Sequence, residues 1–198
     1  MEKQQLEKFT NRAAGIAFAS LILFFSLPLE KLADTKNLTQ AAPHLIIFFF
    51  SMLMISVFWT AQTKIIGLIT KMHLSSKIVW LSRFYFFFLV LMPLDCGWIA
   101  ANFHWPGSVL LYSCNLLVIS LLHLLLLCAA LSFNYRHHQV LTVKVRSSLK
   151  KIACAGPVFY MVAILLSYIN VYLSLVPITA GLGFYALLLN KKQVVGKI

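Results

Sequence analysis

Hydrophobic residues fall along this chain in long unbroken runs rather than at the alternating or three-to-four spacing of a water-facing fold. Four runs, Ala13 to Leu29, Pro43 to Thr63, Ile78 to Ala101 and Ser108 to Phe133, are 17 to 26 residues long. That is close to the roughly 20 helical residues needed to cross about 30 Å of hydrocarbon. Only helices and closed barrels satisfy their own backbone hydrogen bonds in lipid, and continuous rather than alternating hydrophobicity selects helices. A fifth run, Ile152 to Asn190, is 39 residues without a charge. As one helix it would be roughly 58 Å long, twice what a bilayer needs. It therefore predicts two helices, 152–170 and 175–190. The turn is expected between Asn170 and Pro177, where Asn, Ser and Pro supply turn chemistry. No internal repeat stands out, and residues 1–198 read as one six-helix domain of an all-α integral membrane protein.

Charge fixes an orientation. Lys3, Lys8 and Arg12 precede the first run; Lys64, Lys71, Lys77 and Arg83 surround the second connection; Arg136, Lys144, Arg146, Lys150 and Lys151 the fourth; Lys191, Lys192 and Lys197 the tail. Fifteen of the 17 basic residues thus fall on one side, with Lys31 and Lys36 on the other. Positive loops stay cytoplasmic, so six crossings with both termini in the cytoplasm is the expectation. The net charge of +12 then belongs to headgroup contacts. Nucleic acid is not an expected partner, since no basic stripe interleaved with aromatics occurs. The polar opening MEKQQLEKFTNR, followed by no small-residue cleavage site, suggests no removable signal peptide.

Composition sharpens this: 61% of residues are hydrophobic and 11% charged, against about 25% charged in soluble domains. Catalytic equipment is sparse. Asp95 is the lone acid near the membrane interior, and there is no HExxH, paired Asp or GxSxG, so an enzyme is not expected. No cofactor, metal or organic substrate is expected either. Cys96, Cys114, Cys128 and Cys154 lack CxxC spacing and read as small apolar packing residues. His123 reads as a hydrogen-bond partner between helices, and His137 and His138 as a headgroup-level cluster. Trp59 suits an aromatic belt, while Gly181 and Gly183 suit close helix packing.

The first run holds the most pointed pattern. Ile16, Ser20, Leu23 and Leu27 recur at spacings of four, three and four and share one helix face. Such a stripe serves ordinary packing. Around a symmetry axis, Ile16 and Leu23 would form apolar rings that gate by dewetting, with Ser20 hydroxyls between them.

The order of these pieces resembles the transmembrane protein 175 family, potassium channels of endolysosomes and prokaryotes. The family signature is an Arg, three residues, then Phe-Ser-Asp; here Gln5 is followed by Phe9-Thr10-Asn11 and the stretch AAGIAFASLILFFSLPLEKL. The family's second helix ends in Trp, two residues and His, and here FFFSMLMISVFW ends as Trp59-Thr60-Ala61-Gln62. The third run, IVWLSRFYFFFLVLMPL, is similar to the family's Leu-rich helix with a Pro-containing end. The resemblance implies a homotetramer of six-helix subunits in the lipid bilayer, conducting potassium through a pore lined by the first helix. Carried onto this chain, Ile16 falls on the hydrophobic gate, Leu23 lies further out, and Ala19 falls on a Thr tied to potassium preference. The charged network of Arg, Asp and His becomes the amides Gln5, Asn11 and Gln62, which can pair without ionising. The host membrane is a cell (inner) membrane for a prokaryote and an endolysosomal one for a eukaryote. Two other readings stay open: a non-conducting partner or adaptor subunit derived from the channel family, and a small solute transporter.

Overall fold

A computed structural model describes residues 2–33, 38–69, 74–102, 105–136 and 143–190, with side chains placed except at 24–33, 38–44, 134–136, 143–152 and 187–190. Six helices occupy this span: α1 (Lys3–Ala33), α2 (Leu38–Gly67), α3 (Ser76–Ala101), α4 (Pro106–Arg136), α5 (Val143–Ser167) and α6 (Val171–Asn190). Among the described residues, Leu45–Gly67, Ser76–Ala101 and Pro106–Phe133 are long and apolar enough to cross a membrane. Ala153–Ser167 and Val171–Ala186 are shorter apolar stretches.

Local chemistry sets the helix ends. Ser75, in extended conformation, accepts from the Ile78 amide to open α3, and the Asn102 backbone N–H closes it on the Trp98 and Ile99 carbonyls. Pro106 starts α4, where a missing N–H costs nothing. α1 begins ten residues before its apolar run, because Leu6 is fully buried and Lys3 Nζ donates to the Ile69 carbonyl at 2.6 Å. A reading of apolar runs alone misses this amphipathic extension.

The last apolar run does divide in two, but at 168–170 rather than between Asn170 and Pro177. Asn170 Oδ1 accepts from the Tyr172 amide at 2.8 Å, capping α6 from its first turn. Pro177 lies within α6 instead of ending the turn. Pro177 removes the N–H that would bond the Leu173 carbonyl one turn back, and two residues further on Thr179 Oγ1 donates to the Leu175 and Val176 carbonyls.

The helices run alternately up and down. A cluster of buried apolar residues at one end joins Leu6 of α1 and Ile78 of α3 to Ile66 near the end of α2, Leu127 near the end of α4 and Ala153 of α5. Lys3, Lys8, Lys64 and Lys77 are therefore grouped at one pole. The larger core draws on all six helices around Phe58, Tyr85, Leu116, Tyr160 and Tyr185. On α2, the hydroxyls of Ser51, Ser56, Thr60 and Thr63 donate to carbonyls four residues back at 2.6–2.9 Å, so each is satisfied by its own helix.

Large exposed side chains complete the membrane-facing picture. Trp80 near the start of α3, with the Arg83 guanidinium 5.1 Å from its ring, and Trp98 at the far end, stacked on Trp105 at 6.3 Å, bracket exposed Phe84 and Phe87. These tryptophans, 18 positions apart, are about 27 Å apart along the helix axis, near the hydrocarbon thickness. Trp59 is half-buried instead, and its Nε1–H is enclosed without a partner among the described residues. Of the cysteines only Cys96 is buried; Cys128 is half-buried and Cys114 and Cys154 are exposed, so packing accounts for one of the four. Exposure costs a thiol little when the surroundings are lipid.

Candidate functional site: the two faces of α1

One side of α1 is packed and the other is uncovered. Leu6, Thr10, Ala13, Ala14, Ala17 and Leu21 are buried at helical spacing, and the helix packs against α2 and α3. Three alanines bring the α1 backbone close to its neighbours, the usual device where dispersion rather than water drives association. Thr10 is the polar member, and its hydroxyl donates to the Leu6 carbonyl at 2.8 Å. Phe9 meets Phe86 of α3 edge to face, with centroids 5.9 Å apart.

The opposite side exposes Asn11, Arg12, Gly15, Ile16, Ala19, Ile22 and Leu23. Ile16 is 56% and Leu23 62% exposed, about 10 Å apart along the helix. Between them stands Ala19; Ser20 is half-buried and turned toward the flank. The spacing of 16, 20, 23 and 27 is thus replaced by 12, 16, 19 and 23. Both fit a 3.6-residue turn, and packing of Ala17 and Leu21 against the bundle selects the second. Leu27 lies outside the described side chains. On α2 and α3 the uncovered surface carries bulky rings such as Phe49, Phe84, Phe87 and Trp98. From Asn11 to Leu23 the uncovered side of α1 has no aromatic residue and includes Gly15 and Ala19.

The amide positions are not drawn together within the subunit. Gln5 is exposed, and its Oε1 accepts from the Glu2 amide at 3.2 Å in its own first turn. Asn11 is exposed as well. Gln62 is fully buried, and its Nε2 donates to Ser82 Oγ of α3 at 3.3 Å, while its Oε1 is enclosed without a partner among the described residues. The amide link runs from α2 to α3, where the sequence pattern had pointed from α1 to α2. Ser82 was missed because a lone serine in an apolar helix is equally at home bonding its own backbone.

Two further polar pairs were under-read. Asp95 is half-buried and paired: Asn115 Nδ2 donates to its Oδ2 and also to the Phe88 carbonyl at 3.3 Å, joining α4 to α3. An amide in the middle of the apolar α4 run was the available signal. His123 is buried between Tyr85 and Tyr185, with centroids 6.2 and 5.5 Å away, and its Nδ1 has no partner among the described residues. Tyr85 Oη donates to the Phe58 carbonyl at 2.8 Å. His137 and His138 lie outside the described residues. Gly181 sits where a β-carbon would be 3.3 Å from Phe159 and Tyr160, as close packing requires, but Gly183 faces open space. Gly156, not singled out from sequence, is the tighter position, facing Tyr185.

With a packed face and an uncovered, ring-free face on the same leading helix, comparison with known proteins becomes informative. Residues 5–93, covering α1, α2 and most of α3, match the family model described as endosomal/lysosomal potassium channel TMEM175. The matching family is TMEM175. Over nearly the whole chain the fold matches the crystal structure of a lysosomal potassium-selective channel TMEM175 homolog from Chamaesiphon Minutus. The TM-score is 0.77 at 20% identity, covering 95% of this chain and 98% of that one. None of the curated proteins compared is a significant match. The family so matched is one of potassium channels and not a class of enzymes, and the structural match shares its fold with this chain. Among the described residues, no group of three or more His, Cys, Asp or Glu could hold a metal ion.

Proposed function

We propose that this chain is the subunit of a passive potassium-permeable channel, a homotetramer with α1 lining the pore. Both termini are cytoplasmic, which puts the basic pole of the bundle against the inner leaflet. The observation that carries the reading is the uncovered Ile16–Ala19–Leu23 stripe of α1, apolar, small at its centre, headed by Arg12 and without the rings found on the uncovered faces of α2 and α3. Around an axis, Ile16 forms a ring that gates by excluding water, and Leu23 forms a second ring further out. Ala19 gives its layer no hydroxyl, and Ser20 reaches the axis only after rotation of α1. Discrimination against sodium is therefore weaker than in channels with a Thr at this position. The family match supports the ion class, and one domain spanning residues 1–198 without a cofactor or organic substrate suffices for it.

Potassium flux into liposomes from purified protein tests the proposal. Wild-type protein passes potassium without saturation, and Ile16→Asn, which wets the narrow ring, raises the leak. Intact tetramers that carry no cation current, with Ile16→Asn also silent, would overturn it. Co-purification of such silent protein with a second membrane protein would point instead to a partner subunit, and saturable solute uptake to a transporter.

A further inference from the structure

A cleft of about 370 Å³ opens between the start of α3 and the end of α4, within the roughly 300–1,000 Å³ typical of small-molecule sites. Its lining is divided in two. Ser75, Lys77 and Ser132 form one part, and Leu81, Leu125 and Ala129 are prominent in the other. None of the residues lining it is acidic.

The division follows the membrane. Lys77 is the second residue of the span Ser76–Ala101, and Ser132 lies one residue before the end of the span Pro106–Phe133. The polar lining therefore stands at headgroup level. Leu81 is one turn deeper on α3, and Ala129 and Leu125 are one and two turns deeper on α4. Lys77 is exposed, so its ammonium is accessible from the surface. Ser75 Oγ accepts from the Ile78 amide at 3.5 Å, which leaves its own proton to donate outward.

We infer that this cleft is a binding site for an anionic phospholipid, with the headgroup phosphate at Lys77, Ser75 and Ser132 and an acyl chain along Leu81, Leu125 and Ala129. A cation and two hydroxyls match a phosphate, and the apolar wall continuing inward matches the chain attached to it. Zwitterionic lipid fits the wall equally well but brings its own cation to Lys77, so the site discriminates by headgroup charge. The inference does not depend on the conduction proposal, because its test reads bound lipid and not flux.

Purified protein is equilibrated in nanodiscs of phosphatidylcholine with and without phosphatidylglycerol, then extracted, and retained lipid is counted by native mass spectrometry. Wild type keeps phosphatidylglycerol in preference to phosphatidylcholine. Lys77→Gln lowers that retention about fivefold, the contribution of one basic residue at a membrane surface. Ala129→Trp, which fills the apolar part, removes retention with Lys77 intact, and Lys8→Gln, a control at the same pole, leaves it unchanged. Equal retention of the two lipids, no change in Lys77→Gln, or retention surviving Ala129→Trp would each overturn the assignment. So would displacement by excess glycerol phosphate, which would make this a site for free phosphate.

Discussion

Alanine at position 156 would put its β-carbon 2.3 Å from Tyr185 Oη and 2.7 and 2.8 Å from two of its ring carbons, all well inside van der Waals contact. The phenol ring has no free direction in which to retreat. Tyr185 is 2% exposed, with its centroid 5.4 Å from Phe58 and 5.5 Å from His123. Relief therefore requires α5 and α6 to separate or three rings to repack, and overpacking of this kind costs about 1–3 kcal/mol. In a chain of this size each kcal/mol moves the thermal midpoint by about 2–4 °C, so Gly156→Ala lowers it by about 2–12 °C. Gly183→Ala supplies the contrast. Its β-carbon meets nothing within 4 Å, and alanine in a helix interior is favoured over glycine by about 0.5–1 kcal/mol. Thermal unfolding in detergent, followed by circular dichroism or by loss of the size-exclusion peak, separates the two variants with opposite signs. Adding Tyr185→Leu to Gly156→Ala recovers part of the loss, a coupling that appears as non-additivity in the double-mutant cycle. A Gly156→Ala variant as stable as wild type, or one whose loss is simply additive with Tyr185→Leu, refutes the claimed contact.

Ser82→Ala removes the partner of Gln62 and leaves the whole buried amide unpaired, so it destabilises by about 1–3 kcal/mol; Gln62→Leu in the same background returns most of that stability, measured by the same melts. Ala19→Thr restores a hydroxyl to the layer between Ile16 and Leu23 and increases the potassium-over-sodium permeability ratio, read from reversal potentials; an unchanged ratio places that layer off the pore axis. Asn11→Asp puts a carboxylate on an uncovered face beside Arg12 rather than in the packed core, so subunit helicity stays constant from pH 5 to 8. A pH-dependent loss of helicity would show that the position is buried.

The membrane-spanning runs were legible because hydrophobicity in lipid is dictated by length, and length survives any error of one or two residues at the ends. The ends themselves were not. Pro177 signals a turn in water, but here it lies inside an apolar helix, where proline is tolerated, and the decisive cap was Asn170. On α1 the periodicity gave a stripe of which Ile16 and Leu23 are uncovered. It could not choose between Ala19 and Ser20, which differ by 100° around the axis and are separated only by how Ala17 and Leu21 pack. Gln62 was recognised as a polar residue needing a partner, but spacing along one chain does not say which neighbouring helix supplies it. Ser82 became visible only once α2 and α3 were side by side.

The tryptophans at the two ends of α3 also have a bearing on which bilayer suits this protein. Their interval of about 27 Å equals the hydrocarbon thickness of thin membranes, whereas a sterol- and sphingolipid-rich plasma membrane is about 32–33 Å thick. There the interval between the tryptophans falls short by about 5 Å, and mismatch costs a fraction of a kcal/mol for each ångström. The penalty belongs to the tryptophan pair of α3 alone, whose rings sit at both headgroup layers together only in a thinner bilayer.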